Sequence, residues 1–553
     1  MPRRLAIVVS LMAGTVLACA DAFGVTLQVD VRPGGLQFVD DSSQTVSVTR
    51  LAFLLSNFRL QDGDGRWTML PSQYAFIDAG RPRLGFRLQY IQPGTYRQLG
   101  FLVGLDDTIN RADPNHWTPE HPLNPVLNTL HWSWQGGYVF FAFEGHYDGE
   151  AGFSLHLAKT PNQTPIILAA PLDLRQDARL EVTLDVRGLL DSIRLKPGDA
   201  ATHSREGDPL AATFRANIAR AFSAGAFTVE KNPIAAPAVT PPLVNADARP
   251  YAFHLPIGFP IPPLPRDNPL TTEGVALGQR LFNEKLLSRG NAMSCASCHK
   301  PEHAFTDSPR RFSLGVDHLE GDRNAMSLLN LAWKQRFFWD GRAPSIRVQV
   351  LGPIQDAKEM HEPIDDAVKK IAAAPGYPEQ FEKAFGSRLI DADRLGRALE
   401  QYVLTLTSYD TKFDRAARGQ AQLTVEEKRG FELFATEYDP RRKLYGADCF
   451  HCHGGPLFSD FRLLNNGLDG VTNLFVVPSL RNVAVTGPYM HDGRFATLEE
   501  VVEHYSTGVK RNPSLDPNLA KHPDGGVPLT PADKKALVAF LKTLTDSRFT
   551  PAQ

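Results

Sequence analysis

The sequence predicts a multidomain protein, with an N-terminal all-β, sandwich-like domain followed by a mainly α half made of two similar units. Three observations lead there. Short stretches of alternating apolar and polar residues, broken by Gly, Pro and Asp, occupy residues 25–230. A proline-rich stretch follows. Beyond it, apolar residues recur at helical spacing twice, each time ahead of the same short motif. At 553 residues the chain also exceeds what one hydrophobic core supports.

Val25, Leu27, Val29 and Val31 alternate with polar neighbours, as do Leu180, Val182, Leu184 and Val186. That is the period of a strand buried on one face. Further strands are expected over 46–54, 84–91, 95–104 and 137–144, and many short strands with turns between them make a sandwich or barrel. Residues 232–265 hold ten prolines. Proline fixes φ and lacks an amide donor, so this stretch is a stiff linker or an extended arm lying over the next domain. A helical run ending at Leu281-Phe282 precedes Cys295 by thirteen residues, counted from Phe282, and a second ending at Leu433-Phe434 precedes Cys449 by fifteen, counted from Phe434. Thr424 and Glu427 form a capping box for the second run. Thr530 and Pro531 open a last helix whose Leu537, Phe540, Leu541 and Leu544 make one apolar stripe. The resulting division is 1–23, 24–231, 232–265, 266–415 and 416–553.

The 59 basic and 61 acidic residues nearly cancel, which gives no basis for a nucleic-acid partner. Residues 1–23 read as an export signal: Arg3 and Arg4 precede an apolar run from Leu5 to Leu17 that is too short to remain as a membrane span. Ala18-Cys19-Ala20 is a cleavage site, or Val16–Cys19 is a lipobox that leaves Cys19 lipidated. Either way the destination is the periplasm. Of five cysteines, Cys19 lies in this signal and four lie in two CxxCH motifs, so none remains for a structural disulfide.

Those motifs are Cys295-Ala-Ser-Cys298-His299 and Cys449-Phe-His-Cys452-His453. Two thiols at this spacing add to the vinyl groups of haem, and the adjacent histidine is thereby held beneath the iron. One copy alone is compatible with a zinc half-site. Two copies behind the same helical run, in an exported chain with no spare cysteine, specify two covalently bound haem c groups with His299 and His453 as proximal ligands.

Around the motifs stand Phe305-Thr-Asp307, Arg323-Asn324, Trp339-Asp-Gly-Arg342, Gln349, Pro353, Glu359-Met360, Leu480-Arg-Asn482 and Pro488-Tyr-Met-His-Asp-Gly493. With these, residues 250–546 resemble the di-haem cytochrome c peroxidase/MauG family. The resemblance implies that the first haem reacts with hydrogen peroxide. Gln349, Pro353 and Glu359, spaced as in the family after Trp339, would line its distal side. Glu359 would shuttle the peroxide proton, and Trp339 would share the oxidising hole between the haems. It implies one Ca²⁺ between the haems, held through Asn324, Thr486 and Pro488. The family places the second iron's sixth ligand fourteen residues after the histidine at 491, which is Tyr505 where ordinary peroxidases have Met. His504 and Met490 are close competitors. Tyrosinate lowers the reduction potential, whereas Met raises it. Gly315 stands where ordinary peroxidases carry a loop histidine that caps the first haem, with His318 nearby. MauG's exit tryptophan has no counterpart: Ala447 and Asp448 occupy those positions, and Tyr445 is the nearest aromatic.

The N-terminal domain carries Tyr96–Asp106, His131-Trp-Ser-Trp-Gln-Gly-Gly-Tyr138, Glu144-Gly145 and Phe153-Ser-Leu-His156, and with them it resembles the MbnP family. That family's members bind copper after a MauG-like companion, MbnH, converts one of their tryptophans to kynurenine. The resemblance implies that enzyme and protein substrate are fused here. Trp132 or Trp134 would be the modified residue, and His131 and His156 copper ligands. His116-Trp117 is a second candidate pair. Two other readings stand beside this one. A plain di-haem peroxidase would draw electrons from a small donor protein. A non-enzymatic electron carrier with a copper-handling module would have two six-coordinate haems.

Overall fold

The computed structural model describes residues 24–132, 136–234 and 241–549. The signal with Cys19, and Trp134, lie outside the described residues. No helix among those described is long and apolar enough to cross a membrane.

The N-terminal half is a two-sheet sandwich. Its strands are β1 (Val25–Pro33), β2 (Thr45–Asp62), β3 (Gly85–Ile91), β4 (Gly94–Val103), β5 (Gly137–Tyr147), β6 (Ala151–Ala158), β7 (Thr164–Leu174), β8 (Ala178–Leu184), β9 (Ala201–His203) and β10 (Phe222–Val229). One sheet runs β10-β8-β1-β3, with β1 and β8 parallel; the other runs β7-β4-β2-β5-β6-β9, with β6 and β9 parallel. The alternating residues Leu27, Val29 and Val31 meet Phe53, Phe141 and Phe143 in the shared core. Helix α1 (Pro209–Ala221) closes that core, its Phe214 packing on Phe141 and Phe143.

The second sheet is buried on both faces. Along β5, Phe141 and Phe143 enter the sandwich core, while Tyr138, Phe140 and Ala142 join a separate outer cluster with Leu54, Phe76 and Leu105. This two-sided burial is why β2 extends well past the alternating segment expected over 46–54. Because side chains alternate with period two, Glu144 and His146 continue the outer face beyond Ala142. His156 pairs with Ala142 across β5 and β6, and His203 pairs with His156 across β6 and β9. One outer face thus collects Glu144, His146, His156 and His203.

That face rests on the C-terminal half. His146 Nε2 lies 2.7 Å from the carbonyl of Leu515. A side chain at Gly152 would meet the Pro517 carbonyl at 2.4 Å, so only glycine permits this approach. The proline-rich arm lies over the helical half. Phe259 belongs to its core, and the Pro260 carbonyl accepts a 2.7 Å bond from Trp333 Nε1.

The helical half uses one plan twice. In the first unit α2 (Thr272–Phe282) crosses α4 (Ala392–Leu404), with α3 (Ile346–Gln355) alongside; in the second, α5 (Val425–Ala435) crosses α6 (Pro531–Lys542). Glycine makes both crossings close. A Cβ at Gly278 would lie 1.9 Å from the Ala398 carbonyl oxygen, and one at Gly430 would lie 2.0 Å from that of Ala536. In an exposed helix, Gly→Ala stabilises by about 1 kcal/mol. Here the sign should reverse: Gly278→Ala or Gly430→Ala should cost about 1–3 kcal/mol through overpacking. A lowered denaturant midpoint in the haem-loaded protein checks this, and a raised midpoint would refute the crossing geometry.

Candidate haem centres and the interdomain junction

Each CxxCH loop is a single tight turn, with the histidine amide donating to the first cysteine's carbonyl at 2.9 Å in both. His299 Nδ1 donates to the Phe305 carbonyl at 2.9 Å, and His453 Nδ1 to that of Phe458 at 3.0 Å. These bonds fix each tautomer and leave Nε2 as the free lone pair, as a ligating imidazole requires. The second loop opens on a cavity lined by Cys449, Cys452, His453, Trp339, Met490 and Tyr505. Lys334 reaches the same cavity, and burial pushes its ammonium down to about 7. It takes part in no ion pair among the described residues. A buried, unpaired cation beside an apolar slot suits a propionate-bearing porphyrin, so the residues fit the group.

The candidates for the second iron separate by direction. Tyr505 lies in a π-helical turn, His504–Gly508, and faces the cavity. Asn466 Nδ2 donates to its hydroxyl at 3.4 Å and approaches Met490 Sδ at 3.6 Å. His504 instead turns its Nε2 to the Asn466 carbonyl at 3.1 Å and does not line the cavity. Burial pushes the Tyr505 phenol up to about 12, so its ionised form needs a cation beside it. Asn324, Thr486 and Pro488, the residues matching calcium ligands, line this same cavity. Trp339 Nε1 donates to the Asn324 carbonyl at 2.8 Å.

At the first centre, Gln349 and Pro353 stand four residues apart on α3 and so share a face. A turn after the helix, with the Met360 amide on the Pro353 carbonyl at 3.0 Å, keeps the Glu359 backbone close to Pro353. Glu359 is largely buried, and its carboxyl is pushed up to about 7 by burial and then by Asp356, with Arg342 opposing. It also bears electrostatically on Cys295 and Cys298, which places it at the attachment loop. A Cβ on Gly315 would strike the Lys358 carbonyl at 2.2 Å, so this glycine lets its loop close over Glu359. His318 is an exposed turn residue.

The outer face of the β sandwich meets the second attachment loop in a buried polar junction. Glu144, 1% exposed, accepts from His156 Nε2 at 2.8 Å and pairs with Arg50 at 2.9 Å and Arg462 at 3.5 Å. Burial would raise this carboxyl, but Arg50 and Arg462 hold it well below its ordinary value. Across the junction, Lys521 lies 3.2 Å from Asp448 and 3.7 Å from Glu437. Trp132 sits over it, with ring centroids 5.7 Å from His156 and 5.6 Å from His203. His203 is in turn 4.9 Å from His451, the residue between the two cysteines of the second motif.

Of the residues singled out in the sequence, Trp132 and His156 come together here. His131 packs edge-on against Tyr138 at 4.7 Å, and burial pushes it down to about 4. His116 and Trp117 form a separate ring stack with His121. Tyr445 is 57% exposed. His203, His451 and Glu437 are not singled out by the sequence, and Asp448 enters it only as a residue at the exit-tryptophan position. The one available signal was a histidine inside the second CxxCH motif.

Comparison with known proteins finds a match in each half. Residues 272–422 match the profile of di-haem cytochrome c peroxidase, and residues 5–204 match that of MbnP. The methylamine utilization protein MauG of Methylorubrum extorquens is 36% identical over 300 residues, 51% of this chain and 81% of its own. Cytochrome c551 peroxidase of Nitrosomonas europaea is 33% identical over 306 residues, 52% of this chain and 84% of its own. A solved MauG-like protein associated with microbial copper homeostasis is 32% identical, covering 54% of this chain and 99% of its own, with a TM-score of 0.47.

A carboxyl titrating at about 7 gives a pH signature. Below that value Glu359 is protonated and cannot accept the peroxide proton; above it, it can. Peroxide consumption should therefore rise as pH increases through about 7. Glu359→Gln should slow it by about 10²–10⁴ and flatten the profile. An unchanged profile in the variant would remove Glu359 from the reaction.

Proposed function

From a chain that belongs to the di-haem cytochrome c peroxidase and MauG family, we propose an enzyme that spends hydrogen peroxide on oxidising Trp132 of the MbnP domain fused to it. The haem-bearing half is a peroxide-dependent oxidoreductase. The observation that carries the reading is the run of rings from Trp132 through His203 to His451 in the second attachment loop, at centroid spacings of 5.6 and 4.9 Å. The tryptophan itself stands at that loop, so the exit tryptophan missing at Ala447 and Asp448 is not needed.

When bound, the haems would take up the oxidising equivalents of peroxide and draw electrons singly from the indole. This chain's residues do the rest. Glu359 takes the proton of the incoming peroxide and returns it to the departing oxygen, so that water leaves. Trp339, anchored by its bond to the Asn324 carbonyl, would stand between the two centres. Tyr505, which lines the second cavity, would be the residue offering an anionic oxygen to the second haem. Opening the indole to N-formylkynurenine consumes two peroxides, inserts two oxygen atoms and releases two waters; hydrolysis then yields kynurenine and formate. The modified domain binds copper, for which His156 is the imidazole beside Trp132. Asn324, Thr486 and Pro488, which line one cavity, would be the residues that hold Ca²⁺. The protein works in the periplasm. Fusion supplies the substrate at high effective concentration because the docked geometry spans the gap.

Met490 favours a second reading, because it lines the same cavity as Tyr505. As sixth ligand it would suit a haem fed by a small donor protein. A Met-ligated spectrum and turnover with added reductant would select that reading.

Peptide mass spectrometry of haem-loaded protein treated with peroxide separates the two. Oxygen insertion at Trp132 is expected in the wild type and not in Glu359→Gln. Trp132→Phe should leave the domain without the modification while peroxide is still consumed. An unmodified Trp132 in wild-type protein would overturn the proposal.

A further inference from the structure

We propose that His156, His203 and His451 form a metal site bridging the two halves of the chain, taking one borderline transition-metal cation of the copper or zinc class. This rests on the metal-handling part of the function proposed above, but its three imidazoles are in place before any tryptophan is modified. It assigns a ligand from the haem-bearing half, in the attachment loop itself.

The geometry is a gathering of three buried imidazoles whose ligand atoms all lie within 4.8 Å of one another. Ligands on a tetrahedral centre with bonds of 2.0–2.1 Å stand about 3.3 Å apart, so small turns of the rings close the set. Each ring has a carboxylate on one nitrogen. His156 Nε2 is 2.8 Å from Glu144, His203 Nδ1 is 2.5 Å from Glu437, and His451 Nε2 is 3.3 Å from Asp448. A carboxylate behind the imidazole orients a metal-bound histidine and raises its basicity.

The other nitrogens give the second, independent observation. His156 Nδ1 and His203 Nε2, and also His203 Nδ1 beside Glu437, are buried with no hydrogen-bond partner. An unsatisfied buried polar atom costs about 1–3 kcal/mol, and a cation held among the three rings would satisfy these atoms. Donors that are all imidazole, with no thiolate, suit copper and zinc rather than calcium or magnesium.

The consequence is mechanical. His156 and His203 belong to β6 and β9, whereas His451 belongs to the second CxxCH loop. One bound cation would tie the sandwich to that loop and hold Trp132 against it.

Zn²⁺ is the probe, because it is redox-inert beside the haems. Chelator-treated, haem-loaded full-length protein is titrated calorimetrically as wild type, His451→Gln, His203→Gln and Glu359→Gln. One Zn²⁺ per chain is expected in the wild type and in Glu359→Gln. Affinity should fall at least about 100-fold in each histidine variant, the upper range for loss of even an outer-shell partner. Zn²⁺ should also raise the melting temperature of the wild type but not of those variants. Unchanged haem absorbance confirms that the variants are folded. Wild-type affinity in His451→Gln, or no uptake by the wild type, overturns the bridging site. Trp132 oxidised without Zn²⁺ binding would sink this inference alone, and a bridging Zn²⁺ beside an unreactive Trp132 would sink the oxidation proposal alone.

Discussion

Docking of the outer face of the β sandwich onto the second haem-attachment loop is the constraint from which the rest of the arrangement follows. It is made with buried charge. Glu144 on β5 is shared by Arg50 of its own domain and Arg462 of the other, while Lys521 lies between Asp448 and Glu437. Buried charges of this kind add little net stability, yet losing one partner typically costs about 3–5 kcal/mol. Such a junction therefore tolerates one geometry and penalises displaced ones. Hydrophobic contact alone would let the sheet slide. Paired charges at fixed distances do not.

Two regularities deliver the groups that meet there. In the sandwich, the period of two along β5, β6 and β9 puts Glu144, His156 and His203 on one face, and the sandwich core behind them keeps that face in place. In the helical half, close helix crossings at Gly278 and Gly430 hold the attachment loops, and a backbone carbonyl on Nδ1 orients each proximal histidine. Function then depends on where these frames touch. Trp132 is placed by the first frame and His451 by the second.

Much of this was legible in the sequence because its determinants are local. CxxCH carries its own geometry, Thr424 and Glu427 form the expected capping box, and alternation marked the strands. The family resemblance located Glu359, whose burial and shifted carboxyl come from a turn no periodicity would reveal. The junction was not legible. Glu437, Asp448 and His203 are brought together only by the packing of two domains, and nothing in the sequence marks His451 beyond its place inside the second CxxCH motif. His131, adjacent to Trp132, seemed the natural companion of His156. Neighbours along a strand point to opposite faces, so His131 turns instead to Tyr138, while His203 reaches His156 from a parallel strand forty-odd residues on.

The central claim is that substrate and enzyme are already docked within one chain. The most direct test is the rate at which Trp132 is modified, followed by rapid quench and peptide mass spectrometry at saturating peroxide over a wide dilution series. A pre-docked indole predicts a rate constant independent of protein concentration. A rate constant falling in proportion to dilution would mean that the reacting tryptophan arrives from another molecule, and would contradict the account.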